Sequence, residues 1–383
     1  ISNDQQKTAY TNRLPTVQIG ATAGVIGQPV VFQRGLGHPT RPDVPNWSQN
    51  YNLELTQPLY QGGKIHHTIR KTDIQKQIAS LSTTNDEAGI KLALLGQYME
   101  LFSYYKEREV LARNIEESER RLKDISRMKK EGLVTRNDEI RSELQLTNDR
   151  LAYQEAENSI SIASQQLDIL LGLDESLLIV PDSTLLYTTI DLLDYETYVQ
   201  LAYENYPGMQ IARQNTRLAQ NDIKLTKANY LPNVLLHAGN TLARPLSSTM
   251  ADLYNNNWNV ALSLSYNLSS LYQNKHRMHE VKQIVQLRQN AEEQLMQDIR
   301  INVRAAFTRH KEALDRVEAL KLSVRQAEEN YRIVQNRYLN QLSILTDLLD
   351  ASSVRLTADL QLTVARSQTV YTYYELQRAC GNL

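Results

Sequence analysis

Asp347 and Asp350 stand three residues apart, the spacing that sets two carboxylates on one face of a helix. By themselves they are two solvated acids. His276 and His279 share the same spacing and His66 adjoins His67, but a zinc site needs more convergent ligands, so no metal is expected. No nucleophile elbow, phosphate loop, HExxH pair or catalytic carboxylate pair occurs, so neither an enzyme nor a cofactor is expected. The single cysteine, Cys380, excludes a disulfide framework or thiolate cluster and is expected to pack as a small hydrophobe. Lys and Arg number 42 against 43 Asp and Glu, a balance that argues against a nucleic-acid partner.

The elements that must carry these residues are written twice. Shifting the 383-residue chain by 209 lays Leu59 on Leu268, Leu111 on Leu320, Leu133 on Leu342, Asp138 on Asp347 and Gly172 on Gly381. One supersecondary unit has been duplicated. Near the Leu-Pro pairs the offset is 217, with Leu14 on Leu231 and Pro15 on Pro232, so an eight-residue difference falls between the strands, where insertions are tolerated. Ile1 then corresponds to Leu218, and Asp194–Arg217 has no counterpart in the first copy. Roughly 24 residues are therefore expected to precede Ile1, which itself reads as the inside of a helix.

Strict alternation marks the strands. Val17, Ile19, Ala21, Ala23 and Val25 face one way from about 15–25, and Trp47, Tyr51, Leu53 and Leu55 from about 47–57. The second copy repeats this at about 232–242 and 257–267. The connections Ile26–Asn46 and Ala243–Asn257 read as long exposed loops rich in Gly, Pro, Ser and Asn. Hairpins on a soluble core would need a facing layer that the chain lacks. Strands of this length, with Trp47 and Trp258 as interfacial aromatics, suit a bilayer instead. Four strands cannot close a barrel and open edges are not tolerated in lipid, so several chains must pool theirs. No run approaches the ~18 apolar residues of a transmembrane helix.

Between Pro58 and Pro181 no proline occurs, which predicts a helix from Lys64 to Lys130, about 100 Å at 1.5 Å per residue. Its mate runs from Gln273 to Leu339. Helices this long need partners along a seam. The charge run Glu116–Arg121 reads as a solvated face. Both helices break at aligned places, Gly132-Leu133-Val134 and Leu342-Ser343, and shorter helices return to Gly172 and Gly381. The expected organisation is a first repeat over 1–172 with a helical hairpin at 64–172, an irregular equatorial connector at 173–193, and a second repeat over 194–383 with a hairpin at 273–381. The fold class is mainly α with a small β part, built from a duplicated strand-strand-long helix-short helix unit.

The chain resembles the TolC-like family of outer-membrane efflux proteins. The resemblance rests on Leu14-Pro15 and Leu231-Pro232 opening strands, the junction Leu53-x-Leu55-x-x-Pro58-Leu59-Tyr60-x-Gly62-Gly63, and the turn Gly132-Leu133-Val134. It also rests on Leu201-Ala202-Tyr203-Glu204-Asn205-Tyr206-Pro207 and on Ile344 through Ala351 after the second turn. It implies a homotrimer whose strands close a 12-stranded β-barrel in the bacterial outer membrane, among its lipids. An antiparallel α-helical coiled-coil tunnel would continue the barrel into the periplasm. It also implies an inner-membrane pump and a periplasmic adaptor protein that grips the tip turns, here Gly132, Leu133, Val134, Leu342 and Ser343. Asp347 and Asp350 match positions lining the tunnel entrance, where a trimer would stack them as a cation-favouring selectivity ring. Asp138 and Tyr338 match positions that hydrogen-bond across the tip and hold the entrance closed. The family usually has Gly where Gln341 stands, and some members have an Arg where Ser343 stands, so the second turn must bend without glycine.

The expected function is export of small or toxic molecules, with a type I protein secretion outlet as the alternative of the same fold. A soluble coiled-coil scaffold would explain the helices but not the alternating strands. A pore-forming toxin would explain a strand pair but not two copies. Solubility without detergent discriminates the scaffold.

Overall fold

The computed structural model describes residues 2–43, 45–182, 192–245 and 252–383. Most of them are helical. In chain order the elements are α1 (Ser2–Thr11), β1 (Thr16–Val25), β2 (Val31–Arg34), β3 (Gly37–Thr40), β4 (Trp47–Gln61), α2 (Lys64–Lys130) and α3 (Arg136–Leu171). Then follow α4 (Tyr195–Asn205), α5 (Pro207–Ala228), β5 (Asn233–Arg244), β6 (Asn255–Ser265), α6 (Ser270–Leu339) and α7 (Leu345–Ala379). Two compact units form, and each draws on both repeats: Ile1–Ser82 with Ile211–Glu293, and Thr83–Gln210 with Gln294–Leu383.

The first unit holds an antiparallel sheet ordered β1-β4-β5-β6, in which the central β4–β5 pairing joins the two repeats. Register places Val17, Leu55, Ala238 and Val260 in one cross-sheet row, and Ile19, Leu53, Asn240 and Trp258 in the next on the same face. Successive strand residues alternate sides, so Gln18, Glu54, Gly239 and Asn259 occupy the other face. The apolar face is uncovered: Ile19 is 84% exposed, Trp258 73% and Leu264 70%. A bulge between Pro58 and Tyr60 shifts the β4 register just before the helix begins. Within the segment read as a long loop, β2 and β3 form a short hairpin, closed by a turn at Gly35 (φ 55°) and by Thr40 Oγ1 donating to Val31 O at 3.1 Å. The flanking Gly and Pro residues mask the β-forming Val31-Phe32 pair in the sequence. The other connection is shorter than its sequence implies, since β5 reaches Arg244 and β6 starts at Asn255. Its middle, like residues 183–191 of the equatorial connector, lies outside the described residues.

The second unit is helical. Tyr198, Val199 and Ala202 of α4 pack with Met209, with Ile299, Val303 and Ala306 of α6, and with Leu376 and Cys380 at the end of α7. Burial pushes the Cys380 thiol up to about 12, so it sits there as an apolar group. Leu101 of α2 packs with Ile160, Ala163 and Leu167 of α3. At Gly96 a Cβ would lie 3.2 Å from the Tyr371 ring, so the missing side chain lets α2 and α7 approach closely.

The Glu116–Arg121 run departs from its solvated reading. Glu116 with Arg120, and Glu119 with Arg150, do pair at the surface. Ser118 and Arg121 lie on the buried stripe instead. Ser118 donates to Asp149 of α3 at 2.5 Å, and Arg121, only 8% exposed, donates to Ser352 of α7 at 3.0 Å. Glu117 pairs with Arg355, whose guanidinium lies 4.1 Å from the Tyr331 ring centre. One helical turn of charge thus serves both water and the α2–α7 contact, because successive residues point 100° apart.

Candidate functional site

The two turns that reverse the helical hairpins have the same backbone. In the first, Leu133 N–H donates to Met128 O at 2.9 Å and Gly132 N–H to Lys129 O at 3.0 Å; in the second, Leu342 N–H donates to Arg337 O at 2.8 Å and Gln341 N–H to Tyr338 O at 2.9 Å. Each is a helix stop of paired 6→1 and 5→2 bonds with a left-handed residue after the last helical turn. Gly132 takes that conformation at φ 76°, and Gln341 takes it at φ 61° despite its side chain. The second turn therefore bends without glycine by accepting local strain.

The returning helices also begin alike. Asp138 is the third residue of α3: its Oδ2 accepts from Thr135 N at 2.9 Å and Thr135 Oγ1 at 2.7 Å, while its own N–H donates to Thr135 Oγ1 at 3.2 Å. This is a complete capping box. Asp347 is the third residue of α7, and its Oδ2 accepts from Ser343 Oγ at 2.9 Å and Ile344 N at 3.4 Å. Ile344 has no side-chain oxygen to return the bond, so only half the box exists. Asp138 and Asp347, expected in different roles, occupy one position of the duplicated motif. Asp350, one turn further on, is exposed and has neither a hydrogen bond nor an ion pair among the described residues.

Tyr338 is 6% exposed within a cluster of Ile125, Tyr331, Leu345, Leu348 and Ala351. Its hydroxyl is buried without a partner. Burial, and then the nearby Asp138 charge, hold its phenol above the ordinary range. No hydrogen bond joins the two residues; the Asp138 carboxylate is engaged by Thr135 instead. A contact that does link the hairpins is Arg141 Nη1 donating to Thr346 Oγ1 at 2.8 Å. Leu133, Leu342 and Ile344 stand exposed at the turns, Ser343 is half-buried, and Val134 packs on the Tyr338 cluster.

Sequence reasoning missed Glu139. This carboxylate, 8% exposed, accepts from Ser126 Oγ at 2.8 Å and pairs with Lys129 and Arg136. Those donors, Lys129 first, bring its pKa down to about 2. The 209-residue offset carried the signal, because it sets Glu139 on Leu348, a core position of the second hairpin. Of the two tryptophans, Trp47 pairs with Val25 at the loop end of the sheet, while Trp258 lies on the same face in the row of Leu53.

Residues 198–382 match the family model described as outer membrane efflux protein. That match covers the second repeat, just under half of the chain. Members of the family are channels and not enzymes. The fold likeness extends over the whole chain. The outer membrane protein VceC from Vibrio cholerae superposes with a TM-score of 0.80 at 17% identity, covering 99% of this chain and 90% of that one. The outer-membrane channel OprN gives 0.79 at 17% identity, with 100% and 84% covered. CusC, a protein that forms a transmembrane channel, gives 0.81 at 13% identity, with 99% and 86% covered. No curated protein matches the sequence.

Proposed function

We propose that three copies of this chain pool their sheets into a 12-stranded barrel in the bacterial outer membrane, and that their helices form an efflux tunnel into the periplasm. The observation that carries this is the sheet: four antiparallel strands with one uncovered apolar face and two unpaired edges, β1 and β6. In water such a surface invites association, and in lipid its edges must be closed by other chains. The match of residues 198–382 to the efflux family supports the same assembly.

At the turns, Gly132, Leu133, Val134, Leu342 and Ser343 would meet a periplasmic adaptor protein that couples the tunnel to an inner-membrane pump. Apolar Leu133 and Leu342 supply the contact surface. Asp347 and Asp350 would face the axis as stacked acidic rings, with Asp138 and Tyr338 beside them at the gate. Asp347 is tied back to its cap, so Asp350 supplies the freer charge.

The chain should require detergent, run as a trimer and conduct ions in planar bilayers. Asp350→Asn should lower cation preference more than Asp347→Asn does, and Asp347→Asn should instead loosen the start of α7. A soluble monomer would overturn the channel; an unchanged ion preference in the double variant would overturn the ring alone.

A further inference from the structure

A cavity of about 770 Å³ opens in the first unit among α1, α2 and α5. It has the size of a small-molecule site. Its lining includes Arg13, His66, Arg70, Arg217 and Lys224, with Asp73 as the sole carboxylate. Asp73 is engaged by Gln6 Nε2 at 2.7 Å, and the nearby Asp222 is neutralised by Lys71 at 3.0 Å. Arg70, Arg217 and Lys224 make no ion pair among the described residues. Arg13 rests on the Tyr10 ring at 5.5 Å.

The excess of charge is wider than the cavity. Segments 64–77 and 213–228 carry eight Lys and Arg against two Asp. His67, beside the cavity, registers this field. Burial first, then His66, Lys224 and Arg70, push its imidazole below the ordinary range. Two lining amides also hold buried acceptors without partners: Oε1 of Gln214, and Oδ1 of Asn221, whose Nδ2 is spent on His67 O at 2.8 Å. Cations of this density suit a phosphate.

All these residues gather at one end of the sheet. Arg13 just precedes Thr16 of β1, His66 and Arg70 open α2 directly after β4, and Lys224 lies in the last turns of α5 before β5. Register confirms the common end: Thr16 faces Thr56, and Gln61 faces Asn233.

We propose that this cavity binds a phosphate-bearing anion, either the headgroup of an anionic phospholipid or a free phosphate. The headgroup source rests on the outer-membrane reading above, because only there would the helix end of the sheet meet a lipid surface. The anion site itself does not.

The test uses the full chain, purified in a non-ionic detergent at low salt. Dioctanoyl phosphatidylglycerol, dioctanoyl phosphatidylcholine and inorganic phosphate are titrated calorimetrically. Phosphatidylglycerol should bind more tightly than the zwitterionic lipid. Arg70→Gln with Lys224→Gln should weaken it on the order of tenfold, as expected for losing charge-assisted bonds. Arg277→Gln, which removes an exposed charge paired to Glu280 outside the cavity, should leave binding unchanged. Equal variant-sensitive binding of inorganic phosphate, with no gain from the lipid, would keep the anion site and overturn the headgroup. Binding of neither, or binding indifferent to the double variant in a preparation of native circular dichroism, would overturn the site. Bilayer conductance of the same preparation separates the two readings. A conducting protein without anion binding sinks only this proposal, and an anion-binding protein without conductance sinks only the channel.

Discussion

The two hairpin tips share a backbone and differ in nearly every interaction that holds it. The first has glycine at its left-handed position, a full capping box at Thr135 and Asp138, and a buried carboxylate, Glu139, drawn to Lys129 across the turn and to Arg136 on its own helix. The second has Gln341, an apolar Ile344 where the cap should be, and Leu348 in place of Glu139. Local chemistry thus specifies the first turn, whereas the second depends on packing of Leu345, Leu348 and Ala351 against Tyr331 and Tyr338. A turn held by that packing and only half a capping box can be released by whatever disturbs the cluster. We therefore place the moving part of the proposed gate at the second tip.

The largest expected effect follows from that dependence. Leu348→Ala removes a 2%-exposed side chain from the cluster and should cost about 3 kcal/mol of local stability. Hydrogen exchange near 335–350 should accelerate accordingly, and less so at the first tip, which shares the cluster through Ile125, Met128 and Val134. Equal acceleration at both tips would erase the distinction.

Acid should do the reverse. The Glu139 pKa is depressed from 4.5 to about 2, so its contribution is fully present above pH 4.5 and is lost as pH falls toward 2. Both tips carry an aspartate at the third helical position, so the difference between them isolates Glu139. Exchange corrected for intrinsic rate should rise at the first tip across that window, and Glu139→Gln should remove the rise. A wild-type tip indifferent to acid would show that the Glu139 contacts contribute nothing.

Much of the tip architecture could be read from sequence, and its chemistry could not. The ends of α2 were legible because glycine and proline punctuate them, and β1 and β4 because apolar residues recur at alternate positions along most of each strand. The β2–β3 hairpin escaped because two apolar residues are too short a pattern to outvote the surrounding Gly and Pro. Glu139 and Arg121 escaped for another reason. Their burial depends on partners on other helices, Lys129 across a turn and Ser352 in the other repeat, and periodicity along one helix cannot report them. Asp138 and Asp347 were legible as a pair through the offset, yet their shared capping role becomes visible only when the bonds to Thr135, Ser343 and Ile344 are seen.

The smallest effects test whether the backbone strain at the second turn is real and local. Gln341→Gly relieves a left-handed non-glycine residue and should slow exchange at the second tip by about 1 kcal/mol of added stability. The mirror change, Gly132→Gln, imports the strain and should cost the first tip a similar amount; nothing lies within 4 Å of a Cβ built there, so no clash adds to it. Together the two variants exchange one term of the comparison while leaving Glu139 and Leu348 in place. If the tips then open with equal ease, turn strain alone set their difference. If the second still opens first, the difference lies in what anchors each turn, a buried ion cluster in one hairpin and an apolar cluster in the other. The second outcome is expected, because the strain at stake is smaller than the packing that Leu348 supplies.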